Sequence, residues 1–471
     1  MSLTPSPERE ELRSVVRKFL VAHSDEEQVR RQMDLGAGFD ASTWKLMAQQ
    51  IGIQSLMIPE EYGGAGFGFG EMAIVLEEAG RALLCAPLLS TVLATTALLS
   101  ADDDAAAAAL LPGIADGTVI ATVAIADDND PGPDGVRLAA EPAADGAGWR
   151  LTGTKPYVLD GADAALIIVA ARTPAGVSLF LVDSGADGFI ATNLPTLDLT
   201  RRLASLEFAD TPATLLGGEG AGSAVCDQVL RTAAVALACE QVGGAAKVLE
   251  TTVEYVKTRE QFGRPIGSFQ AVKHRLADML VQLESARSAA YFATAALESE
   301  SDEAPVAASI AKSYCSSAYY DIAAESIQLH GGIGFTWEHD TNVYYRRALG
   351  LVAAFGRSTE YQQKVFDTAT TTGMRPVNID LDPETEKLRG EIRAEVEALK
   401  AIPREERKTA IAEGGWVQPH LPRPWGRAAS PVEQIIIAQE FATGRVRRPQ
   451  MGIAAWLIPS IVAFGTDAQK Q

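Results

Sequence analysis

The sequence contains few cysteines and few histidines, and neither residue type is clustered. The cysteines, Cys85, Cys226, Cys239 and Cys315, lie far apart and form no Cys-x-x-Cys pair. Neither a disulfide framework nor a thiolate zinc site is therefore indicated. The five histidines show no metal-ligand spacing either, so we expect no bound metal. This cysteine usage is typical of a protein from a reducing cytoplasm.

Long apolar runs and an excess of positive charge are also missing. No uninterrupted apolar run is long enough to cross a bilayer, and the N-terminal PSPEREELR lacks the apolar core of a signal peptide. The formal charge of -20 argues against nucleic acid or an anionic membrane as a partner, because both require a basic face. At 471 residues, with 47% apolar and 22% charged residues, the chain is predicted to be globular with three or four domains.

Hydrophobic periodicity divides the chain into helical and strand-rich regions. The segment from Ser6 to about Gly117 has helical spacing and begins with a Ser6-Pro7 cap. The region from about Gly220 to Thr372 is helical again. Short runs that are typical of strands, bounded by Gly, Asp and Pro, lie between the two: Thr118–Ala126, Trp149–Thr152, Ala165–Ala171, Val177–Val182 and Leu203–Phe208. We predict an α+β protein with an N-terminal helical domain (1–117), a middle antiparallel β domain (118–216) and a C-terminal helical bundle (217–372).

Residues 373–471 repeat features of the N-terminal region. Leu12-Arg13 after Ser6-Pro7-Glu8 is echoed by Leu388-Arg389 after Asp382-Pro383-Glu384, an offset of 388 − 12 = 376. Pro59 before Tyr62-Gly63 is echoed by Pro422 before Trp425-Gly426, an offset of 422 − 59 = 363. This period is too long for a solenoid but fits a fused tandem. We expect a second helical domain that begins near Pro383 and stops at Gln471, before a second β domain, so the chain would be a truncated tandem protein. An unrelated helical tail is the alternative.

Two segments carry the most specific signal. The first, Lys257–Met279 (KTREQFGRPIGSFQAVKHRLADM), has a basic and aromatic turn, a Pro-Gly loop and a helix that we expect Ser268 to cap. The second, Ile327–Phe335 (IQLHGGIGF), ends a helix at Gln328 and continues with a glycine pair. In sequence and order, both resemble the C-terminal helical domain of acyl-CoA dehydrogenases, which use FAD to oxidise acyl-CoA thioesters. The α–β–α layout of residues 1–372 matches the same family.

The resemblance implies that one set of residues reaches across to the FAD of a neighbouring subunit. Arg259 would neutralise the pyrophosphate, because a guanidinium fork suits phosphate oxygens. Phe262 would pack near the adenosine half, in the same turn as Gln261. Gly331 and Gly332 would let the backbone approach the cofactor. The predicted cofactor-binding set, completed by two hydrogen-bonding glutamines, is Arg259, Gln261, Phe262, Gln270, Gln328, Gly331 and Gly332.

The family's other functional positions are altered in this chain. In Ala354-Phe355-Gly356-Arg357-Ser358, Phe355 stands at the usual position of the catalytic Glu, and Arg357 replaces a threonine that helps to hold FAD. Tyr157-Val158-Leu159 replaces the Trp-x-Thr that packs on the flavin ring, and Ala126–Pro131 replaces an E-P-G-A-G-S-D-like stretch. Glu240 is a candidate base, but a structural carboxylate with a local partner is the favoured interpretation.

These features predict a division of labour between two copies. The first copy would lend residues to an FAD site, and a second copy would hold the flavin ring and the base, beyond residue 471. The pattern resembles fused or heteromeric actinobacterial acyl-CoA dehydrogenases that act on steroid side-chain CoA thioesters. We expect an acyl-CoA substrate, an electron-transfer flavoprotein or similar acceptor, and a homo-oligomer of tandem chains. The alternatives are an acyl-CoA oxidase and a non-catalytic partner that stabilises another dehydrogenase.

Overall fold

The N-terminal region folds into helices whose ends are set by local capping. The computed structural model describes residues 6–35, 38–127, 132–144, 146, 148–371 and 383–470. The hydroxyl of Ser6 accepts a hydrogen bond from the Arg9 N–H (3.3 Å), and proline occupies the first helical position, so the predicted cap is confirmed. The helices are α1 (Pro7–His23), α2 (Glu26–Asp34), α3 (Ala41–Leu46), α4 (Phe69–Arg81), α5 (Leu88–Leu99) and α6 (Asp104–Ala115).

A sheet follows the first helices and is mixed rather than purely antiparallel. Its strands are β1 (Ala121–Ala124), β2 (Ala139–Pro142), β3 (Trp149–Leu159), β4 (Leu166–Thr173), β5 (Gly176–Asp183), β6 (Phe189–Asn193) and β7 (Leu203–Leu216). They pair in the order β1-β4-β2-β3-β7-β5, with β6 on β7. The β1–β4 and β2–β4 pairs are parallel. The antiparallel prediction is wrong at these two pairs, whose strands are joined by long connections that permit parallel pairing, and it holds for the other strand pairs.

The C-terminal part of the larger unit is a bundle of long helices. Its elements are α7 (Gly222–Thr258), the hairpin strands β8 (Glu260–Gln261) and β9 (Arg264–Pro265), α8 (Gln270–Glu298), α9 (Ala304–His330), α10 (Gly332–Phe335), α11 (Thr341–Ala353) and α12 (Ser358–Thr371). The prediction that Ser268 caps α8 is wrong. Its hydroxyl donates to the Pro265 carbonyl oxygen (2.7 Å) within a 3-10 turn, and Phe269 occupies the N-cap position.

The chain divides into two units, Ser2–Met374 and Arg375–Gln471. The second contains α13 (Pro383–Ala401), α14 (Arg404–Glu413), α15 (Pro431–Thr443), α16 (Ala454–Phe464) and α17 (Asp467–Lys470). Its core includes Ile392, Val396, Trp416 and Phe441. The apolar helix α16 has no buried residue, whereas in the larger unit α5 is buried from Leu88 to Leu98.

Both units contain the same buried ion network. In the larger unit, Arg13 and Arg17 of α1 bind Glu78 of α4, at 3.1 and 2.7 Å. In the second unit, Arg389 and Arg393 of α13 bind Glu440 of α15, at 3.1 and 2.8 Å. The arginine offsets are 389 − 13 = 376 and 393 − 17 = 376, the offset that the sequence repeat predicts. A buried carboxylate needs such cationic partners. The ion pairs therefore recur in both units together with the repeated sequence.

The carboxylate next to Glu78 marks a difference between the two units. Glu77 binds Arg287 (2.8 Å) and accepts a hydrogen bond from the Tyr291 hydroxyl (3.0 Å), and both partners lie on α8. The corresponding residue of the second unit is Gln439, since 439 − 77 equals 440 − 78. Its Oε1 is buried and has no hydrogen-bond partner among the residues that the structure describes. The second unit thus has a carboxylate, Glu440, at the position of Glu78, but it has no carboxylate at the position of Glu77, which binds α8.

Within the described ranges, no helix combines the length and the apolar character that crossing a bilayer requires. The same residues contain no group of three or more His, Cys, Asp or Glu side chains that could hold a metal ion. All four cysteines are free and buried.

Candidate cofactor site

Helices α7 and α9 run parallel, and this brings the two diagnostic segments together. The hydrogen-bonded pairs that join them are Gln241–Ser316 (3.0 Å), Thr252–Ser326 (2.6 Å) and Tyr255–His330 (3.2 Å). The sequence separation in these pairs stays between 74 and 75. A constant separation is possible only when two helices point in the same direction. The turn after α7 and the glycine pair after α9 therefore lie at the same end of the bundle.

The turn after α7 is a tight hairpin that exposes a phenyl ring. Phe262 and Gly263 both have positive φ (55° and 76°), as a two-residue hairpin of the primed type requires. The Phe262 side chain is 92% exposed, and its ring contacts Phe269 edge-on with centroids 6.1 Å apart. The guanidinium of Arg264 lies 4.1 Å from the Phe269 ring. An aromatic side chain held this far into solvent is suited to contact a partner.

The glycine pair presents bare backbone at the same end. Gly331 has φ 64° and ψ −139°, a conformation that only glycine adopts without strain. Gly332 begins α10, and a Cβ added at either position would meet no atom within 4 Å. Internal packing therefore does not explain the missing side chain of Gly332. The ring of Phe335, three residues further on, is 84% exposed.

The remaining residues of the predicted set lie at this end as well. The Ile266 N–H donates to the Arg259 carbonyl oxygen (2.8 Å), which ties Arg259 to the turn that leads into Gln270. Among the described residues, no carboxylate pairs with the Arg259 guanidinium, whereas the nearby Arg275 binds Glu325 (2.6 Å). Gln261, Gln270 and Gln328 have exposed side chains. All seven predicted residues, which we call the lending edge, are thus exposed at the same end of the bundle.

The segment at the usual position of the catalytic base lies elsewhere. The carbonyls of Leu351 and Val352 at the end of α11 accept hydrogen bonds from the buried Lys312 Nζ, at 2.7 and 3.4 Å. Lys312 precedes His330 by 18 residues of α9, which corresponds to about 27 Å along the helix. Phe355, just beyond α11, is therefore far from the lending edge.

Phe355 has an unusual backbone and an apolar environment. Its φ is 55°, in the left-handed region that side chains other than glycine rarely adopt. Its ring is half-buried against the main core, and its carbonyl oxygen accepts a hydrogen bond from the Tyr361 hydroxyl (2.8 Å). Such strain is typical of functional positions, but a phenyl ring cannot accept a proton. The conformation is therefore present without a group that could act as a base.

Glu240 is fully engaged in a buried ion network. Its carboxylate binds Arg347 (2.6 Å) and Arg201 (2.7 Å), and Arg347 also lies 3.2 Å from Asp198. Burial opposes ionisation of Glu240, but the two guanidinium groups outweigh it and hold its pKa below the ordinary value. A base must be free to take up a proton, so this geometry supports the structural interpretation of Glu240.

The altered flavin-facing strand is also locally strained. Tyr157 and Asp160 have positive φ (56° and 50°), and the β3–β7 register shifts between Lys155 and Val158. The Tyr157 ring is 64% exposed, whereas Leu159 is buried and its carbonyl oxygen accepts a hydrogen bond from the Thr122 hydroxyl (2.6 Å). Residues 128–131 of the altered glycine-poor loop lie outside the described residues.

The carboxyl group of Asp160 is fully buried beside this strand. It accepts a hydrogen bond from the Ser90 hydroxyl (2.6 Å) of α5. Burial raises the pKa of Asp160 to about 7, although Ser90 and Arg201 act in the opposite direction. Sequence reasoning missed Asp160 and the Arg347 network. The available signals were an Asp directly after the altered motif and an Arg-Arg pair in an otherwise apolar helical segment.

An FAD molecule fits one end of this chain better than the other. The lending edge offers an exposed guanidinium, an exposed aromatic ring and open backbone, which suit the pyrophosphate and the adenosine half. The positions that would hold the flavin ring carry Leu159, whose side chain cannot form the usual threonine hydrogen bond, and Arg357 in place of a threonine. The residues therefore fit the adenosine-diphosphate part of FAD but not its ring.

Comparison with known proteins agrees with these features. Residues 220–364 match the family description "Acyl-CoA dehydrogenase, C-terminal domain". The description "Acyl-CoA dehydrogenase, N-terminal domain" matches twice, over residues 6–118 and 385–471. The second match covers the segment in which the sequence predicts a second copy.

Two curated relatives from mycobacteria match much of the chain. Acyl-CoA dehydrogenase FadE34 of Mycobacterium tuberculosis is 36% identical over 477 residues, which cover 100% of this chain and 63% of that protein. The chain thus spans less than two thirds of the length of this relative. Acyl-CoA dehydrogenase IpdE2 of Mycolicibacterium smegmatis is 38% identical over 361 residues, 76% of this chain and 98% of that protein.

Solved structures show the same fold. The ChsE4-ChsE5 complex from Mycobacterium tuberculosis superposes with a TM-score of 0.72 and 30% identity, over 80% of this chain and 100% of that one. A variant of the Tcur3481-Tcur3483 steroid acyl-CoA dehydrogenase gives 0.70 and 32%, over 78% and 98%. With two family domains matched and a relative covered almost completely, the chain belongs to the acyl-CoA dehydrogenase family, whose members are oxidoreductases that act on CH–CH groups.

Proposed function

We propose that this chain supplies one half of an FAD-dependent acyl-CoA dehydrogenase that oxidises an acyl-CoA thioester between Cα and Cβ. Its lending edge contacts the pyrophosphate and the adenosine half of FAD. The flavin ring and the catalytic base belong to a second acyl-CoA dehydrogenase copy. Bound FAD supplies the acceptor for the β hydride in such a reaction.

The observation that carries the proposal is the separation of intact and altered positions. The seven intact residues are all exposed at one end of the bundle, whereas Phe355 follows the end of α11, which is held by Lys312, about 27 Å before His330 along α9. If the intact residues served only internal packing, they would be buried. Instead, Phe262 is 92% exposed and a Cβ at Gly332 would meet empty space. A surface of this kind is explained by a ligand held jointly with another half-site.

The choice of substrate class and partners is a finer part of the proposal. We infer a steroid side-chain CoA thioester, because a solved structure similar to this chain is described as a steroid acyl-CoA dehydrogenase. We further infer a homo-oligomer of tandem chains, an electron-transfer flavoprotein or similar acceptor, and a cytoplasmic location. The free, buried thiols support the last inference.

Comparing ADP with FAD on the purified 471-residue chain tests the division of labour. Because only the adenosine-diphosphate part has a receptor, we expect little FAD after purification and similar, weak affinities for ADP and FAD by calorimetry. Arg259→Ala removes one charge-assisted contact to phosphate, worth roughly 1.5–3 kcal/mol. Both affinities should therefore fall about ten- to a hundredfold.

Arg275→Gln is the matched control, because it removes a guanidinium from the same end of the bundle that already binds Glu325. ADP affinity should change little in this variant. Tight stoichiometric FAD, or FAD affinity far above ADP affinity, would show that the ring also has a site in this chain. Unchanged affinity in Arg259→Ala would show that the lending edge is not a phosphate site.

A second candidate function is a non-catalytic partner that only stabilises another dehydrogenase. The observation that favours it is Phe355 at the position of the base. The two functions differ in their need for the lending edge. In a reconstituted complex, Arg259→Ala should release FAD if the edge is shared, and should leave the flavin content unchanged if the chain is only a scaffold.

A further inference from the structure

The segment that follows the glycine pair is clamped to the N-terminal helix α2. The guanidinium of Arg30 donates to the Trp337 carbonyl oxygen (2.8 Å) and to the Asp340 carboxylate (2.7 Å). It also lies 3.3 Å from Glu26, one turn earlier on α2. The Trp337 ring is flanked by the guanidinium groups of Arg30 and Arg346, 6.0 and 5.0 Å from its centroid. These contacts, which we call the α2 clamp, join residues 307 and 310 positions apart in sequence.

A pair of histidines connects the clamp to the lending edge. His330 directly precedes Gly331, and His339 directly precedes Asp340. Their ring centroids are 4.4 Å apart, and the His330 ring also stacks on Tyr255 at 4.3 Å. His330 is 3% exposed. The segment between the two rings, Gly331–Phe335 included, is thus held at both ends by imidazole contacts.

A second proton on either imidazole would disturb the hydrogen bonding that the structure shows. The Nδ1 of His330 lies 2.8 Å from the Ser326 carbonyl oxygen and must carry the proton of that bond. A further proton would enter at Nε2, which is buried without a hydrogen-bond partner among the described residues. In His339, Nδ1 accepts from the Thr341 N–H (3.1 Å) at the start of α11 and lies 2.6 Å from the Thr341 hydroxyl oxygen. Protonation of Nδ1 would break the bond from the N–H and leave the hydroxyl oxygen as the acceptor.

We propose that the α2 clamp fixes the Gly331–Phe335 segment while His330 and His339 are uncharged, and that their protonation releases the segment from the bundle. Two imidazolium rings in contact would repel each other, and each would lose or lack a hydrogen bond. The consequence for FAD retention rests on the proposed role of the lending edge.

The sign of the pH dependence follows from the surrounding groups. Burial lowers the pKa of His330, and burial together with His330 lowers that of His339, from the ordinary value of 6.5. The closed segment is therefore favoured above pH 6.5 and loses stability as the pH falls towards the lowered pKa values. The charged and titratable groups that face the pair and the clamp are Tyr255 on α7, Glu26 and Arg30 on α2, and Asp340, Tyr344 and Arg346 near α11.

Asp340 acts in the opposite direction. Burial and a hydrogen bond to Glu26 raise its pKa to about 6, although Arg30 lowers it. Proton uptake by Asp340 therefore favours the closed segment, and this contribution is lost as the pH rises through about 6. Asp340→Asn keeps a hydrogen-bond acceptor for Arg30 and removes the opposing titration. Release on acidification should be steeper in this variant than in the wild type.

Histidine NMR combined with hydrogen exchange tests the proposal on the 471-residue chain. The sequence has only five histidines, so ¹³Cε1 signals can be assigned with single His→Gln variants. We expect two signals, those of His330 and His339, to titrate below pH 6.5. Amide exchange of residues 331–341, corrected for its intrinsic pH dependence, should rise on acidification. The rise should be about tenfold for each pH unit over which one histidine is charged only in the open form.

The charge of Arg30 provides a second variant and a matched control. Arg30→Gln should raise the exchange of residues 331–341 already at pH 7.5, whereas Arg31→Gln removes the same charge from an exposed neighbouring position of α2 and should not. Ordinary histidine titration together with pH-independent exchange would overturn the proposal. ADP affinity at pH 7.5 and 5.5 separates the two levels. If the Gly331–Phe335 segment is released at low pH but ADP affinity does not change, the claim that this release regulates ligand binding is wrong. The claim that the histidines control the segment would still hold.

Discussion

The buried carboxyl group of Asp160 makes the clearest prediction of a pH-dependent stability. Its pKa is about 7 in the folded protein and 3.8 ordinarily, because burial disfavours its charge. Between these values the unfolded chain is ionised and the folded chain keeps its proton. The stability contribution is therefore complete below pH 3.8 and is lost progressively as the pH rises to about 7. Asp160→Asn can keep the hydrogen bond to Ser90 and removes the titration.

The magnitude follows from the size of the shift. One pKa unit corresponds to about 1.4 kcal/mol, so a shift of roughly three units corresponds to about 4 kcal/mol in total. Between pH 5 and 7 the wild type should lose roughly 2 kcal/mol relative to Asp160→Asn, because the loss levels off as the pH approaches the pKa of the folded state. For a large unit, one kcal/mol changes Tm by about 2 °C, so the difference in Tm should change by roughly 4 °C.

Thermal unfolding of both proteins from pH 4.5 to 8 is the measurement. The Tm of Asp160→Asn relative to that of the wild type should increase with rising pH, and above pH 7 Asp160→Asn should be the more stable protein. Asp187→Asn, an exposed substitution in the same sheet region, should track the wild type at every pH. A Tm difference between wild type and Asp160→Asn that does not change with pH would refute the argument that burial keeps this group protonated.

Three further substitutions test other parts of the structure. Phe355→Glu should give no dehydrogenase turnover with excess FAD and an artificial acceptor, because Leu159 still leaves the flavin ring poorly held; measurable activity would contradict this. Glu240→Gln breaks a buried ion pair and should destabilise the larger unit by about 3 kcal/mol. This is near the lower end for such losses, because Asp198 still pairs with Arg347. An unchanged Tm would show that the Glu240 ion pairs do not stabilise the larger unit. Trp456→Lys should reduce self-association in light scattering, because Trp456 is 83% exposed on the apolar helix α16; a wild-type chain that is monomeric at all concentrations would argue against that role.

The helical parts of the fold could be predicted because their signals are local. The Ser6-Pro7 cap and the absence of Gly and Pro from 271–300 correspond to the observed start of α1 and to α8. Two strands, β2 (Ala139–Pro142) and β6 (Phe189–Asn193), were not predicted. Both are short, and β2 contains Glu and Pro, so their pairing depends on neighbouring strands rather than on their own composition.

The candidate site was predictable as a set of residues but not as a surface. The motifs identified Arg259 and Gly331, yet nothing in the sequence states that α7 and α9 run parallel and end together. That geometry depends on distant pairs such as Thr252–Ser326. The α2 clamp was missed for the same reason, because Arg30 and Asp340 are 310 residues apart. Contacts of this range arise from packing and leave no periodic signal in either segment.

The substitution of Gln439 for Glu77 bears on how a chain with two similar helical domains avoids assembling incorrectly. Similar domains in one chain can exchange places during folding. If the second domain took the place of the first on α8, Arg287 and Tyr291 would face an amide instead of the carboxylate that they bind. Arg287 would then keep only its longer ion pair with Glu284 (3.4 Å), and the Tyr291 hydroxyl would lose its charged acceptor, so the wrong arrangement is penalised at one position. The difference in charge between Glu77 and Gln439 thus favours packing of the first helical domain, rather than the second, against α8.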